Sequence, residues 1–499
     1  MYTMIKNILI YDGLGNKPFV SNVYLKDSKI CKISSVIKTN SIITIDGTGL
    51  AICPGFIDTH SHSDLEIFRK NKLEYAIRQG ITTEIIGQDG LSLYPANNEI
   101  KNIIYNQIKL YAGSIDKKSV WSDYNKYNKA VTKKNYSSKI ECLVGHGTVR
   151  MSISGLENRN LNSYEIEKMN NTIEECFLLG AKGMSFSFES IPSCYATEDE
   201  IISACKIVSK YDGIVMIYLK DDRNLLLESI DMIARIGRES NVRMHICQFK
   251  AIGINYRGKI GYAIEKIEKY REDGIEITYD VYPYVAMYSL ISTLLGNITK
   301  TVDEILNDDE LYFDCIKIIN QNIESFGGDE NIMITTCKDS KLVGKRLREV
   351  KDQIGLPAAE VVLTLLKNYG YDIRGLFFSI DNEDLEKLMK NPLTGICTGG
   401  LVSDFPHPRL FGTFPRVINS YAQKMKIITI EEAIRKMSSE PAKRMRLLDR
   451  GIIREGMAAD LVLFEPDKIR DTNSYLSPMQ YPTGIKAVWV NGIIKYGEL

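Results

Sequence analysis

"NSYEIEKMNNTIEECFLLGAKGMSFSF" (Asn162–Phe188) joins one helical period directly to one strand. Ile166, Met169, Ile173, Cys176 and Phe177 share a helical face, the pattern stops at Gly180, and "KGMSFSF" reads as a buried strand. The alternation continues downstream. Thr197 with Glu200 reads as a capping box opening a second helix through Ile201, Ile202, Cys205 and Val208 to Asp212-Gly213, ahead of the strand "IVMIYL". "NLLLESIDMIARIGRES" and "KIGYAIEKIEKYRED" are further helices, followed by the strands "VRMHICQF" and "IEITYDVY". Units of about 30 residues alternating in this way build a parallel sheet. With "AICPGFID", "TTEIIG", "KIECLVG" and "TGICTGGLVSD", the strand count approaches that of a (β/α)8 TIM barrel.

Outside this run the texture changes. "MIKNILIYDG", "NVYLKDSKICKISS" and "SIITIDGTGLAICPGFID" alternate and turn like short antiparallel strands. The same texture returns in "DLVLFEPDKI" and "GIKAVWVNGIIKYGEL", where Asn491-Gly492 is a hairpin signal. The expected division is a composite β-sandwich domain from residues 1–54 and 450–499 and a barrel over 55–449. A mostly helical insertion, about 286–392, precedes the last barrel strand.

Of the 499 residues, Lys+Arg and Asp+Glu number 63 each, so no bulk field favours nucleic acid or an acidic membrane. A small-molecule partner is expected. Ten cysteines without a CxxC pair, and no signal peptide before "MYTMIKNILIYDG", point to reduced thiols in a cytoplasm. Apolar runs such as "GIVMIYL" are too short to span a membrane. Oligomeric state is left open, a homo-oligomer included.

A barrel does its chemistry at the C-terminal ends of its strands. Those ends offer His60 and His62, Gln88-Asp89, His146, Tyr218 with Lys220, Gln248 with Lys250, Asp280 with Tyr282, and Asp404. His60 and His62, in "GFIDTHSHSDL", are two of only five histidines; spaced by one on an extended segment, they can bind one zinc ion together. Asp404 would be a third ligand and a proton acceptor for water. A bare His-x-His also fits a polar strand end with satisfied imidazoles.

The flanking sequence narrows the choice. "PGFIDTHSHSDL", "GITTEIIGQDGLS", "LVGHGTVR", "GAKGMSFSFESIPSCYATEDEI", "DVYPY", "SDFPHPRLFGTFPRV", "EEAIRKMSSEPAKRMRLLDRGIIREGMAADLVLFEPDKIRD" and "QYPTGIKAVWVNG" resemble, in order, the N-acyl-D-amino-acid deacylases, the D-aminoacylase branch of the amidohydrolase superfamily. That resemblance implies the barrel with its terminal β-sandwich and insertion, and zinc-assisted hydrolysis of an N-acyl-D-amino acid. It also places Lys250 and Arg409 against a substrate carboxylate, with Tyr282 and Tyr284 lining the pocket or packing at its rim.

The departures fall on the metal. In the family, a Cys and two His from the middle strands hold the tight zinc, beside a weaker site lined by the His-x-His pair and a late Asp. Here Asp89, Tyr218 and Gln248 stand at those three tight positions. His245, three residues before Gln248, should point to the opposite face and so not substitute. Lys220 could be carboxylated to bridge metals, although a substrate-facing cation is the simpler reading. One weakly held zinc at His60, His62 and Asp404, with Asp89 joining, gives a divergent amidohydrolase. The alternative is a metal-poor paralogue keeping the pocket as a non-catalytic binding or scaffold protein.

Overall fold

The computed structural model describes residues 2–36, 42–70, 72–112 and 119–497. Ser41 of the "SIITID" run and the final Glu498-Leu499 lie outside them. Strands β1 (Tyr2–Ile10), β2 (Phe19–Lys26), β3 (Lys29–Ser34), β4 (Ile42–Asp46) and β5 (Ala51–Pro54) come first. A register shift between Ile5 and Ile8, with Asn7 at φ 55°, bends β1, so that its first half pairs with β4 and its last residues with β5. A bulge lets one strand serve two directions in this way.

After Gly55 the barrel begins. Strands β6 (Phe56–Asp58), β7 (Ile81–Ile86), β8 (Lys139–Gly145), β9 (Gly183–Ser187), β10 (Ile214–Tyr218), β11 (Arg243–Ile246) and β12 (Ile277–Val281) pair in parallel, each with the next. Ile57, Ile85, Leu143 and Met216 fill the interior, while Phe56, Ile86, Val144 and Phe186 face outward into the core shared with the surrounding helices. That is the period of two read through both faces of a buried parallel sheet.

Three further strands, β13 (Met287–Leu290), β14 (Ile332–Thr336) and β15 (Arg374–Phe377), form an antiparallel sheet with its own helices and a separate apolar core. The sequence reading took this region as mostly helical; "NIMITT" and "RGLFFS" are too short for periodicity to tell strand from coil. The eighth barrel strand, β16 (Thr394–Ile396), pairs with β12. Between β16 and β6 the barrel is closed chiefly by side-chain bonds: the Thr398 amide donates to Asp58 Oδ1 at 2.9 Å and its hydroxyl to Oδ2 at 2.6 Å. The Gly399 amide adds a bond to the His60 carbonyl at 2.8 Å.

The chain then returns to the first sheet with β17 (Leu461–Phe464), β18 (Ile485–Val490) and β19 (Ile493–Tyr496). β17 pairs with β5, and Asn491 (φ 50°) with Gly492 (φ 75°) turns the last hairpin as expected. Both ends of the chain therefore share one sheet, over a core including Ile5, Ile10, Val23, Leu463 and Trp489. Only Gly55 separates that sheet from the strand leading to His60; a Cβ there would lie 2.1 Å from the Thr82 hydroxyl.

Helix ends follow local chemistry. Thr197 caps its helix, but Glu200 does not close the expected box; its carboxylate turns inward to Arg150 at 2.8 Å. The reciprocal box belongs instead to Asn162 and Glu165. No helix among the described residues is long and apolar enough to cross a membrane.

Candidate active site

Beyond β6 the chain bends at Thr59-His60 and enters a short helix at Ser63, with His62 at its start, and the His60 and His62 rings lie with centroids 5.1 Å apart. Beyond β7, left-handed residues at Gly87, Asp89 and Gly90 (φ 79°, 56° and 76°) fold a tight turn. Gln88 pins it by donating to the Thr59 and Ile85 carbonyls. The turn delivers Asp89 between the two rings: Oδ1 lies 3.4 Å from His60 Nε2 and Oδ2 3.3 Å from His62 Nε2. One ligand atom from each of the three lies within 4.8 Å of the others. His60 is fully buried with Nδ1 unpartnered, while its Nε2 and Asp89 Oδ1 face each other at 3.4 Å without hydrogen-bond geometry. Orphaned polar atoms at such depth are costly unless something binds them. Two imidazoles and a carboxylate suit zinc, so the residues present fit one divalent ion. Burial opposes charge on both partners, yet the imidazoles hold the Asp89 carboxyl well below the usual range, and Asp89 raises His62.

Asp404 is not part of this cluster. Strand β16 ends at Ile396, its mouth carries Cys397, Thr398 and Gly399, and Asp404 follows on an exposed loop. This corrects the expectation of a late carboxylate ligand: sequence showed an Asp after an apolar run but not where the strand stops. The polar residue at the strand end is Thr398, bonded to Asp58, whose carboxyl burial pushes up to about 8.

The other residues at substituted metal positions form a second group. Lys250, 5 % exposed, donates to the Tyr218 hydroxyl at 2.8 Å and to the Gln248 carbonyl at 3.0 Å, with Asp222 at 3.4 Å. Although burial disfavours its charge, Tyr218, Tyr282 and Asp222 raise its pKa. Arg409 is equally buried and donates to Gln248 Oε1 at 3.2 Å, its guanidinium 4.4 Å from the Tyr282 ring centroid. Its Nε has no partner, and among the described residues it forms no ion pair. Tyr282 is buried with an unpartnered hydroxyl, whereas Tyr284 packs among His407, Tyr475 and Arg416. Lys220 is exposed.

His245 lies outside the His60, His62 and Asp89 cluster. It and Gln248 converge on Asp280, His245 Nε2 donating at 3.0 Å and the Gln248 amide at 2.6 Å, because β11 ends at Ile246 and Gln248 adopts φ 50°. Strand alternation no longer applies there. Asp280 also accepts from Thr59 at 2.7 Å, so its carboxylate is fully engaged. His146 is buried against Glu200 and Ser193, outside the cluster.

Glu189 was missed. It follows β9 by two residues; the residue is solvent-accessible, but its carboxyl end is shielded enough that desolvation, and then the charge of Asp222, push it up to about 7. The signal available was its place in "SFSFES", two residues past a strand end.

Comparison with known proteins agrees with this architecture. D-aminoacylase of Alcaligenes xylosoxydans xylosoxydans is 29% identical over 97% of this chain and 92% of its own. The N-acyl-D-aspartate deacylase of the same organism is 26% identical over 98% and 91%. A D-aminoacylase crystal structure superposes with TM-score 0.84 at 25% identity, covering 99% of this chain and 96% of that one. The chain is similar to D-aminoacylases along nearly its whole length. An "Amidohydrolase family" profile matches residues 393–496. The N-acyl-D-glutamate deacylase of Bordetella bronchiseptica, solved with zinc and a phosphonate mimic of the tetrahedral intermediate, shares the fold at TM-score 0.84 and 22% identity, over 99% of this chain and 96% of its own. For the binuclear centre of a D-aminoacylase, one-metal activation and second-metal attenuation are described.

Proposed function

We propose that this amidohydrolase cleaves the amide of a small N-acyl-D-amino acid with one divalent ion, zinc, held by His60, His62 and Asp89. The observation that carries the reading is the convergence of these three side chains, with His60 Nδ1 unpartnered and Nε2 facing only Asp89, at a barrel mouth shared with Arg409, which forms no ion pair among the described residues. The substrates named for the relatives support an N-acyl-D-amino acid. One-metal activation of a relative supports a single ion. At a second substituted position Tyr218 accepts from the Lys250 ammonium at 2.8 Å, a fixed charge that would repel another cation.

When bound, the ion supplies Lewis acidity toward a carbonyl oxygen and toward water. Arg409 and Lys250 bind the substrate carboxylate, Arg409 presenting a fork whose plane Tyr282 and Gln248 fix. Glu189 takes a proton from the attacking water as its oxygen adds to the carbonyl carbon. It returns that proton to the nitrogen as the C–N bond breaks, releasing the acyl carboxylate and the free amino acid; a carboxyl near neutrality suits both duties.

The test is release of free amino acid from N-acyl-D- and N-acyl-L-amino acids, before and after chelation and zinc restoration. Zinc-dependent release from the D series is expected. Release indifferent to chelation, or none from any member, would defeat the proposal.

A further inference from the structure

Little strand ladder holds the segment that carries His60 and His62. β6 pairs with β7 only as Phe56 with Ile81, Ile57 with Thr83 and Asp58 with Glu84, with an irregularity between the first two. Beyond Asp58 the chain bends, and His62 opens the helix Ser63–Glu66 without a side-chain cap. A histidine that holds a metal is ordinarily oriented by its other ring nitrogen, which donates to a carboxylate or a carbonyl. His60 Nδ1 has no such partner. The direction of its ring must therefore come from the backbone on either side of it.

Ser61, between the two histidines, is tied down three times. Its amide donates to the Ile85 carbonyl at 3.0 Å, its hydroxyl donates to Glu84 Oε2 at 2.8 Å, and the same hydroxyl accepts from the Ser63 amide at 3.2 Å. Ser61 and Glu84 are both buried, so water does not compete for the bond between them. Glu84 lies on the face of β7 opposite Ile85, which fills the barrel interior, and so acts from behind the site. Glu84 and Asp89 belong to one strand and its turn: the element that delivers the third ligand also grips the segment with the first two. Resting on the ion site proposed above, we propose that Glu84 is a positioning residue which, through Ser61, fixes His60 and His62 relative to Asp89 in place of the bond that His60 Nδ1 lacks. Losing that bond frees Ser61 to turn, and both rings with it, while all three ligands remain present.

The experiment titrates zinc calorimetrically into chelator-stripped wild type, Ser61→Ala, Glu84→Ala and Glu84→Gln, each shown to be folded by circular dichroism. Glu84→Gln keeps an acceptor for the Ser61 hydroxyl, and Ser61→Ala decides the matter where Glu84→Ala does not fold. The expected zinc Kd is weaker by about tenfold or more in the two alanine variants and within about threefold of wild type in Glu84→Gln, the range found for partners that orient metal ligands. Hydrogen–deuterium exchange of the zinc-free protein is the second readout: the amides of residues 60–63 should exchange faster by about tenfold or more in the alanine variants and not in Glu84→Gln. Affinity unchanged in both alanine variants would overturn the proposal, as would a loss in Glu84→Gln equal to that in Glu84→Ala, which would make the effect one of charge. If the wild type binds no zinc, the proposed ion site fails by itself; faster exchange in the alanine variants still supports the anchor, and unchanged exchange overturns it.

Discussion

Asp89 carries more of the account than any other residue. It is the only carboxylate that the described structure brings to both histidines, and its left-handed backbone places it there. Asp89→Ala should lower kcat/KM by at least about a hundredfold, in line with loss of a ligand or its support. Asp404→Ala, on an exposed loop, should stay within about twofold, as most surface substitutions do. Steady-state kinetics on the two variants separates the cluster found here from the one expected from sequence. The His-x-His pair was legible from its spacing after a buried strand, although the chain reaches it through a bend and a helix start instead of an extended segment. The third ligand was legible only as a substituted family position, since a turn with three left-handed residues leaves no periodic trace. Glu189 gives a second prediction. As a base it must be ionised, so kcat/KM should rise with pH through a limb centred near 7, the value to which desolvation and Asp222 push it. In Glu189→Gln that limb should vanish and kcat fall by about 10²- to 10⁴-fold with KM little changed; a pH–rate profile retaining the limb would assign it elsewhere.

At the scale of elements, the βα units were the readable part, because fully buried strands and amphipathic helices differ in period and length. Asn162–Leu178 behaved as its pattern required, burying Met169, Ile173, Cys176 and Phe177. The strands of the inserted sheet were not readable, being four or five residues long and paired only with one another. Nor was the end of β11, beyond which Gln248 adopts φ 50°. The seam between β6 and β16 is an element-level device that sequence gives no hint of, a buried Asp58 bridged by Thr398 instead of a full ladder. Thr398→Val keeps the volume and removes the hydroxyl from a buried acceptor. Urea denaturation should show a loss of about 1–3 kcal/mol; an unchanged midpoint would mean that backbone bonds alone hold the seam.

For the whole molecule, the two chain ends are tied to the site through one short covalent step. β17 holds β5, and β5 leads through Gly55 into the strand that ends at His60. Trp489, 1 % exposed, packs in the end sheet's own core, while Val462, Phe464, Val488 and Val490 on the other face of that sheet join the core shared with the barrel. Trp489→Ala should cost about 3–5 kcal/mol and still unfold in a single transition by calorimetry. Separate transitions would show that the end sheet melts independently of the barrel. The fold was legible at this scale because β-like texture appears at both ends and nowhere else at length; the arrangement of the mouth was not, because it depends on where strands stop. The claim on which the chemistry rests is a single divalent ion at His60, His62 and Asp89, and calorimetric titration of zinc into chelator-stripped protein tests it most directly. The expected result is about one equivalent bound by the wild type and by Asp404→Ala, with that site lost in Asp89→Ala; no binding, two equivalents, or a site that survives Asp89→Ala would contradict it.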